Sequence, residues 1–414
     1  MRRILRAVTA AAGACLLAAL LPMGTATATP GGGGVTERIS VAADGTQGDG
    51  PSFVSVISRN GRYVAFMSQA RNLLPGPVAP VGWHGTYLRD RHTGTVELVT
   101  SQGHPADVHD FSASGNLMVI TAHGGLHVRN LSTGHTQRVD VDLGEFTGGS
   151  PLFPRISGSG RYVVFVTYRP QGSTAAEAAR VYVRDLQTGT TQWVSHPNTS
   201  TATYYAGAPA ISDDGQRIAY TSFRYLPEGT SRGNVHLLDR NTGERQTVDV
   251  SENGPTPERR LGGLSLSADG NLVLFNLFDG SPVTADDQYS RSFIRDLTTG
   301  TTRPIPASGP QTGASDGSLS ADGRFALYMV GFPGSPGPWQ LHIRNLETGE
   351  VQNVSTAMDG GPASAHASPG RVSMTGDGRT VAFVTGAANL VPGDTNATTD
   401  VFVRTLPPAP LNPR

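Results

Sequence analysis

The chain has 414 residues, of which 37% are hydrophobic and 16% are charged, a composition that can bury large cores and is unlike that of disordered proteins. All 32 basic residues are arginine, which excludes lysine Schiff-base chemistry and a phosphate-loop lysine. The net charge of −1 without a basic run argues against nucleic-acid partners. Cys15, the single cysteine, lies in a predicted export signal, so the mature protein would have no thiol chemistry, disulfide or cysteine metal site.

Residues 1–28 are typical of an export signal peptide. Three arginines precede the apolar stretch Ala7 to Leu21, and Ala26-Thr27-Ala28 then supplies the small residues that a signal peptidase accepts. We expect cleavage after Ala28 and a secreted, extracellular protein. No later stretch approaches the roughly 20 apolar residues needed to span a bilayer, so no membrane span is expected.

A short turn recurs seven times along the chain. In each copy a Ser or Thr stands three residues before Gly, and Asn, Asp or Ser stands just before it, as in Ser212-Asp213-Asp214-Gly215. Side-chain oxygens satisfy backbone N–H groups in such turns, and Gly accepts a positive φ. Hairpin turns are therefore predicted at Gly61, Gly115, Gly160, Gly215, Gly270, Gly323 and Gly378.

Strands are predicted around each turn. The run after the turn, such as Tyr162-Val163-Val164-Phe165, is too short for a helix and rich in β-branched and aromatic residues. A second strand, such as Tyr182-Val183-Arg184-Asp185, runs on into a Thr-Gly turn in six of the seven copies. The next strand alternates polar and apolar residues, which suits a half-exposed outer position. Seven such units predict an all-β fold, a seven-bladed β-propeller with four-stranded antiparallel blades.

The two ends of the chain are predicted to complete one blade together. The seventh unit ends at Leu406 without an outer strand, whereas residues 36–41 look like an outer strand without a unit. The N-terminal strand 36–41 would close the last blade, because a closed ring exposes no sheet edge. The predicted divisions are the signal peptide 1–28, a flexible segment 29–35, the propeller 36–406 and a Pro-rich tail 407–414.

The units resemble the propeller repeats of the TolB family, which are distantly related to WD repeats. The resemblance is carried by Ile-Ser-x-Asp-Gly-Arg-x-Val-Ala-Phe and by the aromatic-Val-Arg-Asp-Leu-x-Thr-Gly strand and turn, over residues 36–406. It implies an extracytoplasmic binding propeller, usually without catalytic activity. The α/β domain that precedes the propeller in TolB proteins has no counterpart in this sequence. Because this fold serves adaptors, lectins and enzymes, the resemblance is more specific for fold than for function.

Histidines occur at a repeat position that holds Tyr or Phe in other units, and we interpret them as planar packing residues rather than zinc ligands. They are His127, His236 and His342. A two-residue turn at Gly124-Gly125 would send the histidines on either side of it to opposite faces of the hairpin.

Two further patterns are also interpreted as structural. Gly313-Ala314-Ser315-Asp316-Gly317 matches the G-x-S-x-G of serine hydrolases, but a blade strand follows it rather than a helix. The arginine that recurs at one strand position, as at Arg184, is expected to pair with a nearby Asp or a carbonyl in every blade.

Asp394, Asn396 and Asp400 are the candidate metal ligands. Three oxygen-bearing side chains spaced over one loop are what a hard cation such as Ca²⁺ requires. The alternative is a solvated turn closed by side-chain hydrogen bonds. We expect that no cofactor is required and that Ca²⁺ is the ion these residues could bind.

The connections between strands are predicted to fall on two faces. The turns within strand pairs are short and stereotyped, whereas the other connections are long and varied. Varied loops on a rigid scaffold usually carry recognition, and Tyr, Trp and Arg give a large contact area at low entropy cost. The alternative is that these aromatic residues only hold their own loops. The candidate ligand-binding residues are Trp83, Tyr168, Tyr204, Tyr205, Tyr225, Tyr289, Trp339 and Arg224.

Two functions of different classes remain open. The first is a secreted, non-catalytic binding or scaffold module, a monomer that uses the varied face to bind a protein or glycan outside the cytoplasm. The second is an extracellular propeller enzyme of the lyase, lactonase or glycosidase type, with acidic or metal-assisted chemistry at the mouth of the central channel. The sequence contains no evident set of acid, base and nucleophile, so we expect the binding module, with no catalytic residue.

Overall fold

A computed structural model describes residues 33–76, 84–168, 179–195, 205–225, 231–251, 254–255, 261–277, 292–306, 314–331 and 337–407. The predicted signal peptide and residues 408–414 of the predicted tail lie outside these ranges. Within them the chain consists of β-strands, turns and one short 3-10 helix, Gly144–Phe146. No helix in this part of the chain is long and apolar enough to cross a membrane.

The first half of the chain supplies fifteen strands. They are β1 (Val35–Arg38), β2 (Ser52–Ile57), β3 (Tyr63–Ser68), β4 (Gly85–Asp90), β5 (Val96–Leu98), β6 (Thr100–Ser101), β7 (His104–Pro105), β8 (Asp107–Phe111), β9 (Leu117–Ala122), β10 (Gly125–Asn130), β11 (Thr136–Arg138), β12 (Pro151–Ile156), β13 (Tyr162–Tyr168), β14 (Ala179–Asp185) and β15 (Thr190–Trp193).

The second half follows the same pattern. Its strands are β16 (Tyr205–Ile211), β17 (Arg217–Tyr225), β18 (Ser231–Asp239), β19 (Arg245–Thr247), β20 (Val250–Ser251), β21 (Gly254–Pro255), β22 (Leu261–Leu266), β23 (Leu272–Leu277), β24 (Ser292–Asp296), β25 (Thr301–Pro304), β26 (Ala314–Leu319), β27 (Phe325–Val330), β28 (Gln340–Asn345), β29 (Val351–Asn353), β30 (Ala367–Met374), β31 (Thr380–Thr385) and β32 (Asp400–Thr405).

Among the described residues the strands form five large sheets, three with four strands and two with eight, and two small hairpin sheets. Each eight-stranded sheet contains two antiparallel four-stranded ladders joined by one parallel residue pair, Ala179 with Tyr205 or Val56 with Val372. In chain order the ladders are ladder 1 (β2–β5), ladder 2 (β8–β11), ladder 3 (β12–β15), ladder 4 (β16–β19), ladder 5 (β22–β25), ladder 6 (β26–β29) and ladder 7 (β30–β32 with β1). Because the sheets number five rather than seven, the number of blades stays a prediction.

Hydrophobic clusters fill the spaces between successive ladders. Val164 of ladder 3, for example, packs in one cluster with Ile211 of ladder 4. The last ladder packs against the first in the same way, since Phe66 of β3 and Val403 of β32 share a cluster with Ile39. Strands that are buried on both faces are expected to be continuous apolar runs, and the strands that follow the repeated turns are such runs in the sequence. Sheets packed face to face around a common axis make the protein an all-β propeller.

The N-terminal segment supplies the outer strand of ladder 7. β1 pairs antiparallel with β32, with Val35 opposite Thr405 and Arg38 opposite Phe402. The strand covers Val35–Arg38 rather than residues 36–41, and the N–H of Ile39 extends it by donating to the carbonyl of Val401 at 2.8 Å.

The seven repeated turns have the conformation that their spacing predicts, with φ of the glycines between 68° and 75°. In one of them the Ser212 hydroxyl donates to Asp214 at 2.6 Å and accepts the N–H of Arg217 at 2.9 Å. The N–H of Gly215 donates to the carbonyl of Ser212 at 3.0 Å. The hydroxyl and the acid therefore fix the turn, and Gly allows its left-handed residue.

The hairpin between β9 and β10 differs from its prediction by one residue. Ala122 pairs with Gly125, so the turn residues are His123 and Gly124, with φ of 52° and 69°. His127 therefore lies on β10, opposite Ile120, and His123 lies in the turn.

Hydrogen bonds link the seven repeated turns into a belt around one end of the axis, which we call the turn belt. The N–H of Ser159 donates to the carbonyl of Asp213 at 2.9 Å, and the N–H of Asp213 donates to Ala268 at 2.8 Å. Ladders 1 and 2 are linked by the amide of Asn60, which donates to the carbonyl of Ser114 at 2.6 Å. The remaining donor and acceptor pairs are Ala113 to Gly158, Ala268 to Ala321, Asp322 to Gly376 and Gly376 to Arg59.

Candidate functional site

A cavity of about 440 Å³ lies on the axis of the propeller and is lined by residues from every ladder. It extends from Arg59 and Gly376, beside the turn belt, to Arg155 and Arg371 near the other ends of the inner strands. At the belt the Arg59 guanidinium forms an ion pair with Asp213 of ladder 4, which does not neighbour ladder 1. The belt and this ion pair narrow the cavity at this end of the axis. We call this side of the propeller, which carries the turn belt and the short Thr-Gly turns, the turn face.

A second cavity, of about 630 Å³, lies at the opposite end of the axis, and we call it the mouth cavity. It shares Arg155, Gly263, Leu264 and Arg371 with the axial cavity. The mouth cavity opens where the long connections begin, because Tyr168, one of its wall residues, ends β13. Its other apolar wall residues include Leu152, Phe153, Phe223 and Leu261.

A β-bulge in the inner strand of ladder 3 places two of these residues. The register between β12 and β13 shifts between Leu152 and Arg155, and Phe153 has a φ of 51°. A bulge adds one residue and reorients the side chains around it. Phe153 is left 56% exposed and Leu152 39% exposed on the cavity wall. Large apolar side chains that stay exposed together typically mark an interaction site.

Two arginines lie where the axial and mouth cavities meet. The guanidinium of Arg155 donates to the carbonyl of Arg371 at 3.1 Å. The guanidinium of Arg371 donates in turn to Nδ1 of His109 at 2.8 Å. Neither arginine forms an ion pair with a carboxylate of the described residues, so their charge is not matched by a direct partner there.

The partners of His109 hold it in its neutral form. An arginine N–H can only donate, so Nδ1 is the acceptor and Nε2 carries the proton. Nε2 lies 2.8 Å from the hydroxyl oxygen of Thr121, which accepts a hydrogen bond from the Nε2–H. Burial, with the positive charges of Arg371 and Arg155, lowers the pKa of His109 from 6.5 to about 3. His109 is thus an uncharged acceptor that orients Arg371 at neutral pH.

The acids nearest to these arginines are engaged by other donors. Asp110 is 6% exposed and accepts the backbone N–H of Phe111 at 2.8 Å and that of Ile156 at 3.1 Å. Burial raises the pKa of Asp110, which weakens its ability to act as a counter-charge. Asp107 accepts a hydrogen bond of 2.9 Å from the hydroxyl of Thr86 on β4. The unused donors of the two guanidiniums therefore remain available to a ligand.

Two of the predicted ligand-binding tyrosines lie near this cavity. Tyr168 lines it directly. Tyr205 stacks on the wall residue Phe223, with ring centroids 5.6 Å apart and planes inclined by 15°. Arg224 is exposed beside Phe223 on β17. The structure therefore brings part of the predicted set together.

The other predicted ligand-binding residues are not part of this group. The ring of Trp339 packs edge-on against that of His366, with centroids 5.0 Å apart, and the backbone N–H of Trp339 donates to His366 Nδ1 at 2.8 Å. Trp339 thus contacts the residue that precedes β30, and its role in ligand binding stays a prediction. Outside the described residues lie Trp83, Tyr204, Tyr289 and the side chain of Tyr225.

Sequence reasoning missed Phe153, His109, Arg155 and Arg371, because it looked for function in the long connections and these residues stand on inner strands. A signal was nevertheless present. Each stands in the first strand of its unit, and His109, Arg155 and Arg371 are the only basic residues in the seven first strands that the structure describes.

The predicted metal ligands do converge, next to the N-terminal strand. Asp400 is fully buried and accepts the Ser40 hydroxyl at 2.5 Å and the Asn396 amide N–H at 3.0 Å. Arg38 lies 3.5 Å from Asp394 and 3.9 Å from Asp400. Arg38 therefore supplies the positive charge between the two carboxylates, and a Ca²⁺ ion would have to displace it. Ca²⁺ binding stays a prediction.

The recurring arginine, the histidines at an aromatic repeat position and the G-x-S-x-G match are interpreted as structural, and their described members make structural contacts. Arg184 donates to Asp142 at 2.7 Å, and the ring of His236 lies 5.4 Å from that of Tyr220. Ser315 lies within β26, an inner strand, rather than on a turn into a helix.

No profile of a known protein family matches the sequence, and no curated protein matches it. Solved structures do match. An oligogalacturonate lyase in complex with manganese has a TM-score of 0.57 at 15% identity, over 91% of this chain and 99% of that chain. The β-propeller domain of the Trilobed protease from Pyrococcus furiosus, with an open velcro topology, has a TM-score of 0.53 at 10% identity, over 83% and 91%.

A TolB structure from Agrobacterium tumefaciens has a TM-score of 0.43 at 14% identity, over 76% of this chain and 94% of that chain. Identities this low carry information about the fold and not about the activity. The chain is an all-β propeller, and its structural neighbours with a TM-score above 0.5 include an oligogalacturonate lyase and the propeller domain of a protease.

Proposed function

We propose that this protein is a secreted, non-catalytic binding propeller that takes its ligand, or a group of its partner, into the mouth cavity. The observation that carries the proposal is the cavity of about 630 Å³ with exposed Phe153 on its wall. Ligand sites are typically concave, about 300–1,000 Å³ in volume and mostly apolar, with a few convergent polar groups. Arg155, Arg371 and His109 would be those polar groups.

The opposite face is less suited to recognition. Its turns are short, and their backbone groups and side chains already hydrogen-bond one another in the turn belt. By contrast, a long connection begins beside the mouth cavity, because Tyr168 at the end of β13 lines it, and a rigid scaffold can present such a connection to a partner.

We also propose that the ladders are seven blades in a closed ring. Support comes from the turn belt and from the clusters between successive ladders, including the cluster between ladders 7 and 1. Each eight-stranded sheet would then be two neighbouring blades that touch at one residue pair.

The binding proposal is tested with a neutral apolar probe, N-phenyl-1-naphthylamine, titrated into the full chain and followed by its fluorescence. Phe153→Ala and Tyr168→Ala should each weaken binding by about tenfold, because a buried aromatic contact is worth roughly 1–2 kcal/mol. The matched changes Gln187→Ala and Glu347→Ala, in turns of the turn face, should leave it unchanged. Binding that neither cavity variant alters would refute the proposal.

The enzymatic alternative is distinguished by what happens to a ligand. Nδ1 of His109, an imidazole nitrogen at the mouth cavity, already accepts an N–H of Arg371. We therefore expect a ligand incubated with the full chain to be recovered chemically unchanged, as judged by mass spectrometry. Turnover that Arg371→Gln or His109→Ala abolishes would favour the enzyme instead.

A further inference from the structure

We infer that the mouth cavity binds an organic anion, whose flat apolar body packs on Phe153 and Tyr168 and whose single anionic group is held by Arg155 and Arg371. This inference rests on the proposed function, because it assigns a chemical class to the ligand of the same cavity.

The two guanidiniums have donors to spare at one point. An arginine carries five N–H donors, and the structure gives Arg155 one acceptor and Arg371 one. No carboxylate of the described residues pairs with either side chain. Both arginines line the mouth cavity, where burial and the nearby charge of Arg155 lower the pKa of Arg371. Because guanidiniums bind carboxylate-like groups through paired, charge-assisted hydrogen bonds, two of them in one cavity can hold one anionic head group.

The arginines are held in place by acceptors that carry no charge. Arg155 is bound to a backbone carbonyl and Arg371 to neutral His109. These contacts order the side chains without neutralising them, so the entropy cost of ordering them is met before a ligand arrives. At neutral pH, where a carboxylic acid ligand is ionised, the lowered pKa of His109 keeps Nδ1 an acceptor.

The wall next to the arginines indicates that the ligand is more than an inorganic anion. Phe153 precedes Arg155 by two residues and is 56% exposed, and Leu152 beside it is 39% exposed. Phe223, stacked on Tyr205, presents another aromatic side chain to the same cavity. A small hydrated anion would leave these surfaces in water, whereas a flat apolar body would cover them.

Two fluorescent probes separate the apolar and anionic parts of the inference. The probe 8-anilinonaphthalene-1-sulfonate carries a sulfonate on the skeleton of N-phenyl-1-naphthylamine, which is neutral. We expect the full chain to bind the sulfonate about tenfold or more tightly than the neutral probe, because hydrogen bonds to charged groups are the stronger ones. Added salt should weaken binding of the sulfonate alone.

Arg155→Gln and Arg371→Gln should each weaken sulfonate binding by about tenfold and change binding of the neutral probe by less than about twofold. Arg324→Gln, which removes an exposed arginine from the turn face, is the matched control and should change neither. Melting temperatures identify any variant that does not fold. Should one arginine variant fail to fold, the other variant and the salt dependence carry the test.

The outcomes separate the two proposals. Sulfonate binding unchanged in the arginine variants, with the neutral probe still weakened by Phe153→Ala, would overturn the anion assignment and leave the binding cavity in place. If Phe153→Ala and Tyr168→Ala weaken neither probe, the proposed function fails, and the anion assignment fails with it.

Discussion

Two glycines, one in a repeated turn and one in a Thr-Gly turn, illustrate how single residues constrain this fold. Gly215 and Gly94 have nearly the same φ, 73° and 74°. A Cβ at position 215 would run into the ring of Tyr162, whereas a Cβ at position 94 would have open space around it. A side chain at position 215 would therefore cause both backbone strain and a steric clash, whereas a side chain at position 94 would cause backbone strain alone.

We expect Gly94→Ala to lower the free energy of unfolding by about 1 kcal/mol, because a left-handed residue with a side chain costs about that much. Gly215→Ala should lower the free energy of unfolding by about 1–3 kcal/mol more than Gly94→Ala does, because the ring of Tyr162 must move. Urea denaturation of both variants beside wild type measures the difference. Equal losses would mean that the clash is relieved without cost.

Ion pairs between an arginine and an aspartate make the stability of the fold depend on pH. Arg62 holds Asp90 at 2.7 Å and lowers the pKa of that carboxyl below 3.8, and Arg161 acts in the same way on Asp185. Because the pKa is lower in the folded than in the unfolded chain, these acids stabilise the fold above the unfolded-state pKa. That contribution is lost as the pH falls towards the folded-state pKa.

The urea midpoint should therefore decrease between about pH 5 and about pH 2, and the decrease should be smaller in Asp185→Asn. The variant should also have a lower midpoint than wild type at pH 7. Glu347→Gln, an exposed acid for which no such pair occurs among the described residues, is the control. An identical slope in Asp185→Asn and wild type would contradict the assignment.

At the level of elements, the strands and turns could be predicted because local signals repeat in every unit. The register could not always be predicted, as the turn at His123 and Gly124 demonstrates. Register shifts in the inner strands of all seven ladders were also not predicted. A bulge displaces the alternation of side chains by one residue without a sequence signature of its own, so the direction of Phe153 and Arg155 could not be inferred.

The N-terminal strand gives a prediction about ring closure. Ile39 is fully buried between ladders 7 and 1, whereas Val35 on the same segment is 54% exposed. Ile39→Ala should lower the free energy of unfolding by about 2–5 kcal/mol and Val35→Ala by less than about 0.5 kcal/mol. Chemical denaturation of the full chain checks both values. A small loss for Ile39→Ala would mean that the segment does not lock the ring.

The loop at Asp394 gives a prediction about calcium. A bound ion would displace Arg38 from Asp394 and Asp400. At a free Ca²⁺ concentration of 100 times the Kd of the site, binding adds about 2.7 kcal/mol to the free energy of unfolding. The calcium hypothesis thus predicts a higher melting temperature in millimolar Ca²⁺ than in chelator, and a larger increase in Arg38→Ala. Equal melting temperatures in both solutions, by calorimetry, would reject it and leave Arg38 as the counter-charge.

At the scale of the whole molecule, the two ends of the axis differ. The turn belt and the pair of Arg59 and Asp213 narrow one end, whereas the other opens into the mouth cavity. The sequence predicted which face varies but not what lies on the axis. His109 and Arg371 are 262 residues apart, and only the packing of ladder 2 and ladder 7 around one axis brings them together.

The most direct test of the central claim is a crystal structure of the full chain with 6-bromo-2-naphthoate, which joins a flat apolar body to one carboxylate. Anomalous scattering locates the bromine independently of the protein phases. We predict one ordered molecule in the mouth cavity, its rings against Phe153 and Tyr168 and its carboxylate at Arg155 and Arg371. A bromine bound at the turn face, or no ordered molecule in the mouth cavity at saturating ligand, would contradict the account.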